Sequence, residues 1–466
     1  MTDTFERLES NVRSYCRKFP RVFVSGHNAV VSDETGRDYI DFLCGAGALN
    51  YGHNNPEIKH ALMAYLDSNA IVHSLDLHTA AKREFLQRFD DVILQPRGYQ
   101  YKIQFTGPTG TNSIEAALKL ARKVTRRAPV AAFTNAFHGM SLGSLAVTAR
   151  VRERVSTGTV LPDVVRMPFD GYLGQDVNSL DYIEAMLTDP GSGIDKPAAF
   201  IVETLQAEGG LNLASNDWLA GLQKLARERG ILLIVDDIQA GCGRTGTFFS
   251  FERAKIKPDI VCLSKSISGY GLPMSLVLIR PDLDIWDPGE HNGTFRGNNL
   301  AFVAASKALE FWANEKFEQE IAKKSELLSA GLRSITRWRP EYDPEIRGLG
   351  LIQGITWRGE RIAQAISAKA FDMGVIIEVC GPSSNVLKVM PPLTIEADLL
   401  TEGLRRLTAA VQLVVGCAHA IPKGNREMDG GRGGVATTTH SRRAQIAALG
   451  IRGSSITEED APWTMP

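Results

Sequence analysis

The sequence contains no long hydrophobic run and almost no excess charge. No apolar stretch reaches the ~18 residues of a membrane helix, and the first residues, MTDTFERLESNVRSYCRKFP, lack the apolar segment of a secretory signal peptide. The 52 Lys and Arg balance 53 Asp and Glu, so the chain has no basic footprint for nucleic acid. We therefore expect a cytoplasmic protein that binds neither membranes nor nucleic acids.

Cysteine is scarce and scattered. The six cysteines form no C-x-x-C pair and no Cys/His cluster at zinc spacing: Cys16, Cys44, Cys242, Cys262, Cys380 and Cys417. In a long chain without a secretory signal, such cysteines are typical of reduced core residues. The sequence predicts no disulfide and no structural metal.

Short apolar runs alternate with helix-like stretches through the middle of the chain. Four runs are apolar and end abruptly, which is typical of strands buried on both faces of a parallel sheet: VAAFT (130–134), AAFIVE (198–203), ILLIVDD (231–237) and DIVCLSK (259–265). Between them, NDWLAGLQKLARERG predicts a helix capped at Asn216 that stops at Gly230. This alternation predicts an α/β fold with a mostly parallel sheet.

The pattern changes after about residue 300. Apolar Phe302, Leu309 and Trp312 share one helical face, so we predict one long helix over 300–332. The strand candidates GLIQGITW and VIIEV follow, which indicates a smaller α+β domain. The last 50 residues have little periodicity and predict a disordered tail, with a short ordered helix at 443–449, or a partner-binding role, as the alternative.

Three of the predicted strands end in an ionisable residue: Glu203, Asp236 and Lys265. The carboxyl ends of the strands are where open α/β sheets bind ligands. Burial lowers the pKa of a lysine amine, which frees the amine to attack a carbonyl, and a neighbouring aspartate can hold a protonated ring nitrogen. A Schiff-base lysine and such a carboxylate are what pyridoxal phosphate requires.

A phosphate site is also available. GPTGTNSIEAALK (107–119) is a glycine-rich turn that runs into a helix, whose N-terminal amides attract phosphate. Gly110 allows close approach and Thr111 adds a hydroxyl, although a plain capped helix would have the same pattern. Phe137, in NAFHGM, could stack on a cofactor ring or simply pack in the core.

GCGRTG (241–246) matches G-x-G-x-x-G but does not predict a dinucleotide site. DDIQA separates it from the preceding strand, and TGTFFSFERA does not open as an amphipathic helix. No acid follows about 20 residues later at the end of a second strand.

Together these segments resemble the class III (ω-amino acid type) aminotransferases, which are fold-type I pyridoxal phosphate enzymes. The resemblance covers residues 5–415 and is strongest in four stretches: LLIVDDIQAGCGRTG, DIVCLSKSISG, FTGPTGTNSIEAALKLARK and NAFHGM. It implies a large domain with a mostly parallel, seven-stranded sheet and a smaller α+β domain. The expected division is a small-domain segment at 1–45, the pyridoxal phosphate domain at 46–300, the C-terminal small domain at 301–416 and the tail at 417–466.

The resemblance also implies roles around the cofactor. Lys265 matches the Schiff-base lysine and Asp236 the partner of the ring nitrogen. Gln239 matches a residue near the ring hydroxyl, and Phe137 matches the stacking aromatic residue.

Three further positions match phosphate contacts. Gly110 and Thr111 match residues that bind the phosphate within one subunit. Thr294, in GTFRGNN, matches a threonine that reaches the phosphate of the neighbouring subunit. The resemblance therefore implies a homodimer or higher homo-oligomer with shared active sites.

Glu203 and Glu208, in ETLQAEGG, match the family's substrate-side acids. In many relatives the second acid switches between an arginine and open substrate space, which admits two substrates. Here that arginine position corresponds to Lys388, which has no guanidinium fork for bidentate capture of a carboxylate. A Glu208–Lys388 switch is one interpretation, and a strand lysine facing solvent is the other.

Within the family, ESNVRSYCRKFP, HSLDLHTAAKREFL and FTGPTGTN are most similar to the diaminobutyrate–2-oxoglutarate transaminase branch, known from ectoine synthesis. That similarity implies ping-pong transfer of an amino group from L-glutamate to L-aspartate 4-semialdehyde, giving L-2,4-diaminobutyrate and 2-oxoglutarate. An ornithine- or GABA-type ω-amino acid transaminase is the alternative.

Overall fold

The structure, a computed structural model, describes residues 3–161, 163–174, 176–338, 340–359 and 361–416. The predicted tail at 417–466, with its candidate helix at 443–449, lies outside these residues. The strands of the described chain, in order, are β1 Phe23–His27, β2 Val30–Asp33, β3 Asp38–Asp41, β4 Lys102–Phe105, β5 Val130–Phe133, β6 Val164–Met167, β7 Ala199–Val202, β8 Leu205–Gln206, β9 Asn212–Leu213, β10 Leu232–Asp236, β11 Ile260–Leu263, β12 Leu276–Ile279, β13 Glu345–Leu349, β14 Ile352–Thr356, β15 Val375–Ile376, β16 Glu378–Cys380 and β17 Val386–Val389.

Helices precede, separate and follow these strands. In chain order they are α1 Asp3–Leu8, α2 Tyr15–Lys18, α3 Cys44–Gly47, α4 Pro56–Asp67, α5 Ala80–Phe89, α6 Gly110–Thr125, α7 Leu142–Val147, α8 Val151–Val155, α9 Ser179–Thr188, α10 Asn216–Arg229, α11 Asn299–Ala308, α12 Lys316–Thr336, α13 Ile362–Asp372 and α14 Ala397–Gly416. No helix within the described part of the chain combines the length and apolar character needed to cross a membrane.

The largest sheet has seven strands in the order β4-β12-β11-β10-β7-β5-β6. β12 runs antiparallel to both of its neighbours, and the other adjacent pairs are parallel. All four of the apolar runs named above form strands of this sheet. The prediction of an α/β fold with a large, mostly parallel sheet is confirmed.

Both faces of this sheet are buried, which explains why its strands are continuously apolar. In β10, Leu233 and Val235 point into one core cluster. Leu232 and Ile234 point into the other, where Ile114 of α6 packs against them. The sheet is therefore the middle layer of the large domain, with helices on either side.

Two smaller sheets join distant parts of the chain. β1, β2 and β3 form a sheet with β15, in which Ile40 pairs with Val375 in a parallel ladder. β13, β14, β17 and β16 form an antiparallel sheet. N-terminal strands thus share a sheet with a C-terminal one, while the division at residues 45, 300 and 416 stays a prediction.

The prediction of one helix over 300–332 is wrong, because the chain forms α11, a 3-10 turn at Leu309–Trp312 and then α12. The Trp312 indole N–H donates to the Tyr51 hydroxyl over 2.8 Å, and its ring meets Phe317 edge-on at 5.3 Å. The Asn314 side chain accepts the backbone N–H of Lys316, the first residue of α12, over 3.0 Å. The chain therefore leaves the helix beside this aromatic packing, although the spacing of apolar residues alone predicts that the helix continues.

α10 ends as predicted, but its cap lies one residue earlier. Ser215, and not Asn216, is the N-cap, and its hydroxyl accepts the backbone N–H of Trp218 over 3.2 Å. Gly230 follows the helix in the left-handed conformation, with φ of 58°. The glycine therefore ends the helix for the reason that the sequence indicated.

The GCGRTG segment forms turns that bind other parts of the chain. The buried Arg244 guanidinium donates to the carbonyls of Leu351, over 2.9 Å, and Pro391. Its other terminal nitrogen donates to the Asn50 side chain and to the Cys44 thiol. This arginine thus joins the loop after β10 to both ends of the chain.

Candidate active site

The three ionisable strand ends lie at one edge of the large sheet. β11, β10 and β7 are neighbours in this order, and all run parallel. Asp236 is the last residue of β10, Glu203 follows β7 directly, and Lys265 lies two residues beyond β11. The parallel register therefore brings these three side chains to the same edge.

Lys265 begins a 3-10 turn and has a left-handed φ of 54°, which is uncommon for a residue with a side chain. Burial lowers the pKa of its amine, while the negative charge of Glu208 acts in the opposite direction. A lowered pKa increases the fraction of neutral amine, which is the nucleophilic form. Lys265 thus fits the chemistry of a Schiff-base lysine.

Asp236 is buried and paired with a histidine that the sequence interpretation missed. Its Oδ2 lies 2.7 Å from Nδ1 of His138, and its Oδ1 accepts the backbone N–H of Ile238 over 3.1 Å. His138 immediately follows Phe137 in NAFHGM, so its position in that motif was the available signal. The histidine and the backbone N–H of Ile238 together fix the orientation of this carboxylate.

Gly110 and Thr111 are the first two residues of α6, close to Ile238 in the loop after β10. A Cβ on Gly110 would lie 3.0 Å from Cδ1 of Ile238, which is a tight contact, so the helix approaches the loop after β10 closely at this glycine. The Thr111 hydroxyl lies 2.5 Å from the Ser141 hydroxyl and 2.8 Å from that of Ser144. Backbone amides and hydroxyls therefore converge at this helix start, as a phosphate site requires.

A cavity of about 900 Å³ opens beside Lys265, whereas Asp236, Gly110 and Thr111 do not line it. Four of the sequence-predicted residues line it: Phe137, Glu208, Gln239 and Lys265. The Gln239 amide donates to the carbonyl of Ala46 over 2.7 Å, while its buried Oε1 has no hydrogen-bond partner among the described residues. This oxygen is free to accept a hydrogen bond from a ligand in the cavity.

Glu203 lies behind Phe137. Its Oε1 accepts the backbone N–H of Phe137 over 2.9 Å. Burial, together with the neighbouring charge of Asp236, raises the pKa of Glu203 well above its ordinary value. The neutral acid is therefore favoured at this position, which limits the negative charge around Asp236.

Lys388 is fully buried between two carboxylates. Its Nζ lies 2.5 Å from Oε1 of Glu208 and 3.2 Å from Oε2 of Glu378. Although burial favours the neutral amine, the two carboxylates outweigh it and raise the pKa of Lys388. Burial likewise opposes ionisation of Glu208, but the charge of Lys388 lowers the pKa of that acid to about 2.

The structure thus brings Glu208 and Lys388 together, and the Lys388 side chain does not face solvent. Both groups are charged, and Glu378 supplies a second negative charge to the same ammonium. Sequence interpretation missed Glu378, although a glutamate within the apolar run VIIEV was a visible anomaly.

Two residues that hydrogen-bond to Glu208 or Glu378 also line the cavity. The Tyr15 hydroxyl donates to Oε1 of Glu378 over 2.9 Å, and burial raises the pKa of this tyrosine. Arg150 Nη2 donates to Oε2 and to the backbone carbonyl of Glu208, each over 3.2 Å. Its guanidinium lies 5.3 Å from the centre of the Phe137 ring. Neither residue stands in a pattern that the sequence alone would single out.

Thr294 is not part of this group. It is exposed and does not line the cavity, and its carbonyl oxygen lies 2.9 Å from the His73 ring nitrogen Nε2. Its neighbour Phe295 is 66% exposed.

The described residues fit pyridoxal phosphate at each of its polar groups. Lys265 can bond its aldehyde carbon, and the Asp236 carboxylate is suited to a protonated ring nitrogen. The unpartnered oxygen of Gln239 suits a ring hydroxyl. The start of α6 with Thr111 suits the phosphate. By contrast, the described residues include no group of three or more His, Cys, Asp or Glu that could hold a metal ion.

Comparison with known proteins finds relatives that are aminotransferases. The family model described as "Aminotransferase class-III" matches residues 13–411. The diaminobutyrate–2-oxoglutarate transaminase of Bordetella parapertussis is 54% identical over 87% of this chain and 94% of its own length. The enzyme of the same name from Halalkalibacterium halodurans is 52% identical over 89% of this chain and 97% of its own.

A solved structure shares the fold. The ornithine aminotransferase of Toxoplasma gondii, described with partial occupancy of PLP at its active site, matches with a TM-score of 0.77 and 26% identity. The match covers 89% of this chain and 94% of that one. The fold, the site and these matches lead to one conclusion: the chain belongs to the class III aminotransferases.

Proposed function

We propose that this protein transfers an amino group from L-glutamate to L-aspartate 4-semialdehyde, forming 2-oxoglutarate and L-2,4-diaminobutyrate. The observation that carries the proposal is the convergence of Lys265 and the Asp236–His138 pair on one sheet edge beside a cavity that contains both acids and bases. Relatives that carry the diaminobutyrate–2-oxoglutarate transaminase name are 52–54% identical over most of the chain, and this similarity supports the choice of substrates.

Bound pyridoxal phosphate supplies a carbonyl that takes up the amino group and a ring that withdraws electrons from the substrate carbon. Lys265 would hold the cofactor through its Nζ. Its freed Nζ then moves a proton to and from the reacting carbon, and the lowered pKa of this amine suits it to accept that proton. Asp236, oriented by His138, keeps the ring nitrogen protonated.

The cavity has to accept two substrates in turn. Glutamate has a carboxylate on its reacting carbon, whereas the reacting carbon of diaminobutyrate has none. We propose that Glu208 stays on Lys388 with diaminobutyrate and moves aside with glutamate, whose carboxylate then meets the Lys388 ammonium. The ion pair of 2.5 Å is the state suited to diaminobutyrate.

An ornithine- or GABA-type activity is the weaker candidate, since the ornithine aminotransferase match is only 26% identical. A cytoplasmic location and the use of the product in ectoine synthesis stay predictions.

We also propose a homodimer in which Thr294 serves the partner's site. Thr294 and Phe295 are exposed and do not line the cavity of their own chain. The loop at residues 71–77 adds exposed Ile71, Leu75 and Leu77 to the same subunit surface, where His73 contacts both the Thr294 carbonyl and the Phe295 ring. An apolar surface of this kind is typical of an interface.

The proposed reaction predicts defined products. Purified protein with pyridoxal phosphate, glutamate and aspartate 4-semialdehyde should yield diaminobutyrate and 2-oxoglutarate by mass analysis, with ping-pong kinetics. Lys265→Ala should abolish both products. Lys255→Ala is the matched control, because Lys255 is exposed and has a similar left-handed φ of 52°. Turnover of ornithine or 4-aminobutyrate without diaminobutyrate formation would contradict the assignment.

The proposed role of Asp236 predicts the effect of removing its charge. Asp236→Asn should slow the glutamate half-reaction by about 10- to 100-fold, the usual range for one charge-assisted hydrogen bond, and should weaken cofactor binding. Asp237→Asn is the control, because the adjacent buried carboxylate accepts the backbone N–H of Ser250 instead. A pyridoxal phosphate analogue methylated on the ring nitrogen should restore part of the rate. An unchanged half-reaction in Asp236→Asn would remove this residue from the mechanism.

Sharing of Thr294 predicts complementation between variants. Mixed dimers of Lys265→Ala and Thr294→Ala chains should contain one site with both native residues, and that site should bind cofactor with native affinity. If Thr294 serves its own subunit, every site in the mixed dimer will lack one of the two residues. Titration of cofactor into isolated mixed dimers distinguishes these outcomes, and a monomer in sedimentation would contradict the dimer itself.

A further inference from the structure

Arg150 is one of several cations that line the cavity, and it contacts both Glu208 and the Phe137 ring. Its side chain is 33% exposed and lines the cavity, whereas the Lys388 side chain is fully buried and does not. Arg150 immediately precedes α8, where Val151 and Val155 are 62% and 74% exposed. Arg150 therefore lies at the outer edge of the site, and Lys265 lies at the strand end within it.

The contacts of Arg150 leave part of its guanidinium free for a second carboxylate. Its described hydrogen bonds all leave from Nη2, toward Glu208. Nη1 lies 3.8 Å from the Glu153 carboxylate, which is too long for a hydrogen bond. Phe137 supports the guanidinium from one side at 5.3 Å. A guanidinium held in this way can present two parallel donors to a carboxylate.

The two substrates share one geometric feature. Glutamate reacts at C2, and its side-chain carboxyl carbon C5 lies three carbon–carbon bonds away. Diaminobutyrate reacts at C4, and its carboxyl carbon C1 also lies three carbon–carbon bonds away. A single carboxylate-binding group at a fixed distance from Lys265 therefore suits both half-reactions.

We propose that Arg150 binds the carboxylate remote from the reacting carbon in both substrates. The inference rests on the proposed function, and it assigns a specificity residue to the same site. With diaminobutyrate, the ammonium on C2 adjoins the bound carboxylate and pairs with Glu208, the acid beside Arg150. With glutamate, Glu208 moves aside, and the two substrate carboxylates replace it on Arg150 and on Lys388.

Glu378 makes this exchange possible. When Glu208 leaves, Lys388 still has the Glu378 carboxylate at 3.2 Å, so its buried charge is never left without a partner. The hydroxyl of Tyr15 holds Glu378 in place. Removing one partner from a buried charge is strongly unfavourable, and a second fixed carboxylate avoids that cost.

Pairs of substrates that differ only in the remote carboxylate test the proposal. L-Glutamine is the neutral counterpart of glutamate, and 1,3-diaminopropane is diaminobutyrate without its carboxylate. Half-reaction rates with each compound give two kcat/KM ratios, glutamate to glutamine and diaminobutyrate to diaminopropane. Arg150→Met should lower both ratios by about 10- to 100-fold, and Arg150→Lys should restore part of the loss. If Arg150 had a purely structural role, Arg150→Met would lower kcat/KM for all four compounds by the same factor and leave both ratios unchanged.

Arg333→Met is the matched control, since it removes the same charge from an exposed position of α12 that does not line the cavity. It should leave both ratios within about twofold of the wild type, because its effect is only through the screened field. Ratios unchanged in Arg150→Met would overturn the proposal, as would a fall in one ratio alone. A wild-type protein that forms no diaminobutyrate would instead contradict the proposed function itself.

Discussion

The site depends on one buried charge, the ammonium of Lys388. Burying a charge is costly unless it is paired, and here the partners come from different parts of the chain. Glu378 stands on β16, beside Lys388 on β17, and Glu208 comes from the loop after β8 in the other half of the sequence. Tyr15 and Arg150, which line the cavity, each hydrogen-bond to one of these two acids. The cluster therefore fixes the polar wall opposite the cofactor residues.

The second constraint is the parallel sheet. Parallel strands place their carboxyl ends at one edge, and three neighbouring strands carry an ionisable residue there. Burial then divides their roles: it lowers the pKa of Lys265 and raises that of Glu203. The Asp236 carboxylate contacts His138 and accepts the backbone N–H of Ile238. The same sheet edge thus presents an amine with a lowered pKa, an acid with a raised pKa and a hydrogen-bonded carboxylate.

The sequence predicts those parts of the molecule that local pattern determines. Strands buried on both faces show as continuous apolar runs, and Gly230 marks the end of α10. The break before α12 could not be predicted from local pattern, because it involves a hydrogen bond from Trp312 to Tyr51, which is far away along the chain.

The contacts among Arg150, Glu208 and Lys388 could not be predicted from local pattern for the same reason. Arg150 reaches Glu208 across 58 residues, and Glu208 reaches Lys388 across 180. From the sequence, Lys388 could equally face solvent, and only the pairing of β17 with β14 and β16 turns it inward. His138 and Glu378 were visible, one beside a stacking aromatic residue and the other within an apolar strand. Their partners, however, are long-range contacts that spacing does not encode.

The most direct measurement is a crystal structure of the protein with pyridoxal phosphate and glutarate, which has both carboxylates of glutamate and no reacting group. One glutarate carboxylate should accept hydrogen bonds from the Arg150 guanidinium, with Glu378 still within 4 Å of the Lys388 ammonium. A glutarate bound in the cavity without any contact to Arg150 would contradict the proposed shared anchor.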